Sequence, residues 1–463
     1  MVEENNSAQL NAKSVYANVV ELLNHGKYSQ ALQVLEKLPK NLASKTPAWL
    51  NAYGVAYRGV GKPMHAIKAY LLALQLEPDN EGTWSNLGNA YKDANFIQAS
   101  IEAHKKAISK SAQPSATRWH NYGLALSIAG LHEQAISAYE SALKLEPSQK
   151  GVMWDLARAQ LYMQNYKDGF ANYKYRWEMK DAPIRRVKGR EWQGQNLDKS
   201  EHLLVYVEQG FGDYLQCARY LKELKNRAPN CSVEVKPELR RLMCSNFQNI
   251  NFKDYVENPY EVKDGYVVSI LELPNFFQDD IFVGHEGYLT AKYENFTNKD
   301  LVRNVLSDFQ GKNIGIVWSG SLTFKRNQYR ATSPEWFIDS FNLPGVRMHS
   351  LQMGPLTQKA DKYPESILDQ RLVRSIQDFS DTAYVVSQLD LVVTTCTSVV
   401  HLCGALGVPC WVLLDYSPHW LWGVEASRTP WYDSIRLFRQ VSPGDWRSAF
   451  DLAIVEMMEW LQS

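Results

Sequence analysis

Residues 391–414, LVVTTCTSVVHLCGALGVPCWVLL, lie between Asp390 and Asp415 without a single Asp, Glu, Lys or Arg. A run of more than about 18 apolar residues can cross a bilayer. This one is broken by Thr394, Thr395, Thr397, Ser398, His401, Gly404, Gly407 and Pro409, which argues against a membrane helix. The breaks parse it as a strand over 389–395, a polar turn, a short helix over 398–406 and a strand over 409–414. That is the rhythm of a buried parallel sheet. At the carboxyl end of such a strand a helix N-terminus offers free N–H groups, a natural seat for phosphate. The segment predicts an α/β domain with a nucleotide- or phosphate-binding turn near residues 395–398.

A different signal governs the first 180 residues. Gly54, Gly88 and Gly123 are spaced by 34 and 35 residues, and a small-and-large pattern recurs around each. Gly54, Tyr57, Ala66, Tyr70, Ala73 and Pro78 mark one unit. Trp84, Leu87, Gly88, Tyr91, Ser100, His104 and Ala107 mark the next. Trp119, Gly123, Ala135, Tyr139, Ala142 and Pro147 mark a third. The pattern resembles the tetratricopeptide repeat, whose paired antiparallel helices need small residues where they cross and aromatics between them. Degenerate copies over 13–40 and 153–180 bring the expected number to about five units, the outer two acting as caps.

Lysine plus arginine equals aspartate plus glutamate, 50 against 50, so a general affinity for nucleic acid or an anionic membrane is not indicated. The stretch MVEENNSAQL has no basic or apolar leader, and a cytoplasmic protein is expected. Cys217, Cys231, Cys244, Cys396, Cys403 and Cys410 form no CxxC pair and have no histidine pattern of a zinc site. Reduced, buried thiols and no metal are the expectation.

After a polar, basic linker over 181–200, residues 201–308 open with a strand at 203–207, a glycine turn and a helix starting near Asp213. The third glycine of a dinucleotide fingerprint is missing there, so a nicotinamide site is poorly supported. A second α/β set, 309–463, begins at KNIGIVWSGS and closes on the charge-free segment. The expected fold class is α plus α/β: an all-α repeat solenoid over 1–180, then two Rossmann-like domains with a cleft between them.

The ordered motifs EQGFGD (208–213), QCARY (216–220), VWSGS (317–321), DTAYVVSQLDLVV (381–393), HLCGALGVPCWVLL (401–414) and TPWYDSIRLFRQ (429–440) resemble those of the bacterial tetratricopeptide-repeat glycosyltransferases. These are related to the heptosyltransferases and, more distantly, to O-GlcNAc transferase, and the likeness runs over nearly the whole chain. It implies the GT-B architecture and metal-independent, inverting transfer from a nucleotide-sugar donor to a hydroxyl of a protein or peptide acceptor. No DxD triplet occurs in the chain, in keeping with an enzyme that needs no metal cofactor. Transfer to a glycolipid or lipopolysaccharide, a repeat scaffold whose transferase fold has lost turnover, and a sugar-nucleotide epimerase are the alternatives.

By that resemblance Asp213 is the general base that takes the acceptor's proton, although an aspartate at a helix start is equally a good N-cap. Glu208 and Gln209 beside it either position the acceptor or brace the turn. Lys325 and Arg330 meet the donor's phosphates or form a solvated loop charge run, and backbone groups around Leu351 and Gln352 meet the nucleotide base. Thr397 and Ser398 cap the helix near 399 and aim its N–H groups at phosphate. His401 touches phosphate or sugar, or is core. Asn86 and Asn121, each two residues before a repeat glycine, either line a groove that holds an extended peptide or are exposed helix polars. Where relatives carry a Val-Asp-Thr aspartate expected to hold the donor sugar, this chain has Cys396. A thiol replaces a charged acceptor badly, which points to an altered donor, weaker activity or binding without turnover.

Overall fold

The computed structural model describes residues 2–39, 46–179, 185–208, 210–277, 287–292, 296, 298–424 and 427–462, with side chains from residue 13 onward. It divides into two compact units, Met1–Gln160 and Leu161–Ser463.

The first unit is a stack of helix pairs: α1 (Val2–Asn24) with α2 (Tyr28–Glu36), α3 (Pro47–Gly59) with α4 (Pro63–Leu76), α5 (Glu81–Asp93) with α6 (Ile97–Ser109), and α7 (Ala116–Ile128) with α8 (His132–Leu145). The recurring glycines mark where the two helices of a pair touch. A Cβ on Gly88 would lie 2.7 Å from the His104 ring, and one on Gly123 would lie 2.5 Å from the Tyr139 ring. Tyr70 fills the same place against Gly54. Small residues beside the aromatics, Ala66, Ala90, Ala125, Ala135 and Ala142, are fully buried. At the middle pair the ring is His104, whose two nitrogens are buried without a hydrogen-bond partner. Burial pushes its pKa down to about 4, so it packs as a neutral ring. Asn86 and Asn121 sit at matching, half-buried positions of α5 and α7.

The second unit begins with the end of α9 (Lys150–Tyr162) and α10 (Tyr166–Tyr173). Its first parallel sheet runs in the order β1-β5-β2-β3-β4: β1 (Lys188–Glu191), β2 (Leu203–Tyr206), β3 (Cys231–Val235), β4 (Asn251–Asp254) and β5 (Glu261–Ser269). Residues 181–200, expected as a linker, thus supply an edge strand. Its side chains are exposed and polar, so hydrophobic patterning does not reveal it. The second sheet, also parallel, runs β10-β9-β8-β6-β7: β6 (Lys312–Val317), β7 (Val346–Ser350), β8 (Leu391–Thr395), β9 (Cys410–Leu414) and β10 (Ile435–Arg439). All residues of β8 and β9 are buried. The charge-free segment is therefore two adjacent inner strands joined by α17 (Ser398–Leu406), and Gly407 ends that helix at φ 72°. No helix among the described residues is long and apolar enough to cross a membrane.

These strand orders locate the site. In an open parallel sheet, ligands bind beyond the carboxyl ends of the strands where the order reverses. In the first sheet that point lies between β2 and β5, hence at residues 207–213 and 270–274. In the second it lies between β6 and β8, hence at 318–321 and 396–398. The helix after β2, α11 (Phe211–Cys217), packs directly on α17, with Gly212 against His401.

Candidate functional site

Asp213 lies in the first turn of α11, where its Oδ2 accepts the Gly210 N–H at 3.2 Å. It is therefore a helix-capping carboxylate, and its other oxygen is free of that contact. It lines a small pocket with a cavity volume of about 10 Å³. The remaining walls are Phe170 and Tyr173 from α10, Gln216 and Cys217 from α11, Leu271 and Pro274 after β5, and His419 and Trp420 after β9. The aromatic wall is tightly built: Trp420 meets Phe170 and Tyr173 edge-on at 5.6 and 6.0 Å between ring centres. Burial, the largest influence, and the charge of Glu208 push the Asp213 pKa up to about 6. The Gly210 N–H, Arg330 and the residue's own N–H pull the other way. A carboxylate so poised is mostly ionised at neutral pH, yet basic enough to take a proton.

Glu208 presents no idle carboxylate to an acceptor. Arg176 donates to it through Nε at 2.6 Å and Nη2 at 3.1 Å, and Trp177 donates through Nε1 at 3.0 Å. The same guanidinium reaches Glu272 and the Tyr173 carbonyl, and stacks over the Trp177 ring at 4.0 Å. Its effect on the site is electrostatic, through Asp213. Gln209 lies outside the described residues.

At the second switch point the two candidate cations separate. Lys325 is exposed, whereas Arg330 is half-buried and its charge acts on Asp213, Cys396 and His401. Arg330 leans on the Phe324 ring at 4.4 Å and on Asn327, which also fastens the turn by accepting the Gly320 N–H at 3.2 Å. Arg326 turns aside to Asp415 at 2.9 Å. Gln352 is a brace. Its Oε1 accepts the N–H groups of Trp318 and Ser319, and its Nε2 donates to the Met353 carbonyl.

Thr397 occupies the N-cap position of α17 without capping it. Its hydroxyl meets Thr394 Oγ1 at 3.1 Å, and Thr394 in turn donates to the Thr395 carbonyl. The expectation of a side-chain cap thus fails, because β8 claims the hydroxyl. Ser398, the first residue of the helix, is half-buried. Cys396 is buried and its Sγ accepts the Trp422 Nε1–H at 3.2 Å, while burial raises the thiol pKa and keeps it neutral. His401 stacks on Trp422 and its Nδ1 lies 3.0 Å from Tyr432 Oη. Burial, with Arg330 and Arg219 adding to it, lowers its pKa to about 3, so the imidazole is neutral. Among the described residues no three His, Cys, Asp or Glu side chains are grouped to hold a metal ion.

Sequence reasoning missed Arg176, Tyr173, Trp420 and Tyr432. They lie tens to hundreds of residues from Asp213, and only Tyr432 falls within a motif that carries the resemblance.

Comparison with known proteins bears on both units. Residues 116–149 match the tetratricopeptide-repeat family model. The chain therefore carries a tetratricopeptide repeat among its N-terminal helix pairs. Protein FlbA of Caulobacter vibrioides is 24% identical over 424 residues, which is 86% of this chain and 70% of FlbA. A mouse protein O-mannosyl-transferase, TMTC1, is 30% identical over 130 residues. A probable UDP-N-acetylglucosamine–peptide N-acetylglucosaminyltransferase, SPINDLY of Hordeum vulgare, is 29% identical over 143 residues. These two matches span 27% and 28% of this chain and 14% of each relative. They support a distant relation to repeat-containing glycosyltransferases. Among solved structures, MamA aligns over 34% of this chain and 91% of its own at 22% identity and a TM-score of 0.31. Pseudomonas aeruginosa PilF aligns over 35% and 73% at 19% identity and a TM-score of 0.33.

Proposed function

We propose that the chain is a metal-independent, inverting glycosyltransferase of GT-B architecture, acting on a hydroxyl of a protein acceptor that the repeat array recruits. The observation that carries this reading is Asp213. A carboxylate with its pKa near 6 lines a buried pocket at one switch point, while Arg330 and the N-terminus of α17 belong to the other. In this reading Asp213 takes the proton of the acceptor hydroxyl as its oxygen attacks the anomeric carbon. The charge that develops on the departing nucleoside diphosphate falls to Arg330 and the first N–H groups of α17. Asn86 and Asn121 offer carboxamides to an extended acceptor chain.

Ligand pockets for molecules of this size usually span roughly 300–1,000 Å³, whereas the cavity beside Asp213 is about 10 Å³, room for little more than one water. Donor entry therefore requires the lobes to part. Contacts that resist parting include the ion pair of Arg241 with Asp378, 2.7 Å, and with Asp381, and the N–H groups of Tyr288 and Leu289 on the Ala405 carbonyl. A second reading, a repeat scaffold that no longer turns over, is favoured by Cys396, whose thiol is sealed against Trp422 where an open polar wall is expected. Incubation with a panel of nucleotide sugars separates the two. Nucleotide release that disappears in Asp213→Asn supports the transferase. No release with any donor and acceptor supports the scaffold.

A further inference from the structure

Gly320 lies in the turn that follows β6, and its φ is outside the left-handed range that favours glycine. The backbone alone would therefore admit a side chain. What excludes one is Arg330: a Cβ at position 320 would stand 2.6 Å from Arg330 Nη2 and 3.3 Å from its Cζ. Nonbonded heavy atoms rest at roughly 3.5–4.0 Å, so the guanidinium occupies the space a side chain would take. The same guanidinium reaches Asn327 Oδ1 through Nε at 3.5 Å and lies 4.4 Å from the centre of the Phe324 ring. Asn327 is buried. Besides accepting the Gly320 N–H at 3.2 Å, it donates to Ser319 Oγ at 3.0 Å.

The loop that carries this seat is tied down on both sides. Arg326 donates to Asp415 at 2.9 Å and to the Ser417 carbonyl at 2.5 Å, beyond the carboxyl end of β9. Thr332 returns an N–H to the Trp318 carbonyl at 2.8 Å. Phe324 is 45% exposed, and a guanidinium against its face gives that surface ring a partner. A charge fixed in advance gives up less freedom when a ligand arrives. We propose that Gly320 is a positioning residue: its missing side chain seats the Arg330 guanidinium, beside Asn327 and Phe324, where it meets the donor's diphosphate. The diphosphate as ligand rests on the glycosyl-transfer reading, whereas the seat does not.

The test is Gly320→Ala in the full chain. The added methyl meets the far end of a flexible side chain, so the variant should fold with its urea midpoint unchanged or slightly raised. Arg330 should leave its seat. Phenylglyoxal labelling with peptide mass spectrometry reads this without any ligand: Arg330 should react several-fold faster in Gly320→Ala than in wild type. Unchanged labelling overturns the proposal. So does a lowered midpoint, because the glycine would then serve the backbone rather than the guanidinium. For binding, UDP, GDP, CDP and dTDP are titrated, and the one that binds wild type most tightly is the probe. Gly320→Ala should weaken it about ten- to a hundred-fold, as Arg330→Met does. The double variant should be no weaker than Arg330→Met alone. Undiminished binding, or losses that add, would show that Gly320 does not act through Arg330 and overturn its positioning role. Wild-type protein that binds none of the four removes the transferase reading and the diphosphate with it, while the labelling still decides the seat.

Discussion

At the end of β2 the chain binds Glu208 and Glu272 to a buried arginine, Arg176, and sets Asp213 in a pocket walled by aromatic rings. At the ends of β6 and β8 it sets Arg330 beside a thiol and an imidazole that burial keeps neutral. The two places arise from the same topology, a parallel sheet whose strand order reverses. They differ in what burial does to charge. In the first, burial and, second to it, the charge of Glu208 raise a carboxylate into the range of a base. In the second, burial removes every ionisation but the guanidinium, the one group too basic to be discharged. A carboxylate of raised proton affinity thus feels the charge of Arg330, the polarity that the proposed glycosyl transfer calls for.

The widest separation between the two should come from Asp213→Asn. General-base loss lowers turnover by about 10²–10⁴-fold, read as nucleotide release, while binding of a nucleoside diphosphate persists. The same variant should be more stable than wild type. Asp213 has its pKa raised from 3.8 to about 6 by folding, so its ionisation opposes the native state. That penalty is absent below pH 4, sets in between pH 4 and 6, and reaches about 3 kcal/mol above pH 7. Urea unfolding at pH 4 and pH 8 checks it: equal gain at both pH values would show that Asp213 is not perturbed.

Next in size is Arg176→Met, which leaves two buried carboxylates without their cation. Breaking a buried pair in this way costs about 3–5 kcal/mol, measured as a fall in the urea midpoint, whereas Arg330→Met should leave unfolding within about 1 kcal/mol. Arg330→Met should instead weaken nucleoside diphosphate binding by about ten- to a hundred-fold, in line with a charge-assisted hydrogen bond. Because Arg330 lowers the Asp213 pKa, its loss should also move the acid limb of the pH–rate profile upward, toward neutrality. An unmoved limb would separate the two switch points electrostatically. The smallest effect belongs to Lys325→Ala. The exposed side chain predicts unchanged stability within about 0.5 kcal/mol and unchanged binding, and an effect equal to that of Arg330→Met would restore the paired-cation reading.

Much of this architecture is legible in the chain itself. The strand, helix and strand of residues 391–414 follow from a charge-free run punctuated by threonines, glycines and a proline. The helix pairs follow from glycines that let Tyr70, His104 and Tyr139 approach. Asp213 and His401 stand out through their place beside a strand end and within motifs of a resembling family. The side-chain expectations fared differently. Thr397 satisfies a neighbouring strand residue, and Glu208 is consumed by Arg176, which lies 32 residues earlier.

What local sequence determined, then, is periodicity: which segments bury one face, and where backbone must come close to a ring. That information is carried by residues within a turn or a pleat of one another. The identity of each buried partner was decided only when the tertiary structure brought residues 173, 208, 272 and 420 around Asp213, and residues 219, 288 and 432 behind His401. Burial and charge act through space over a few ångströms, so the proton affinity of a side chain is set by neighbours that the order of the chain keeps far apart.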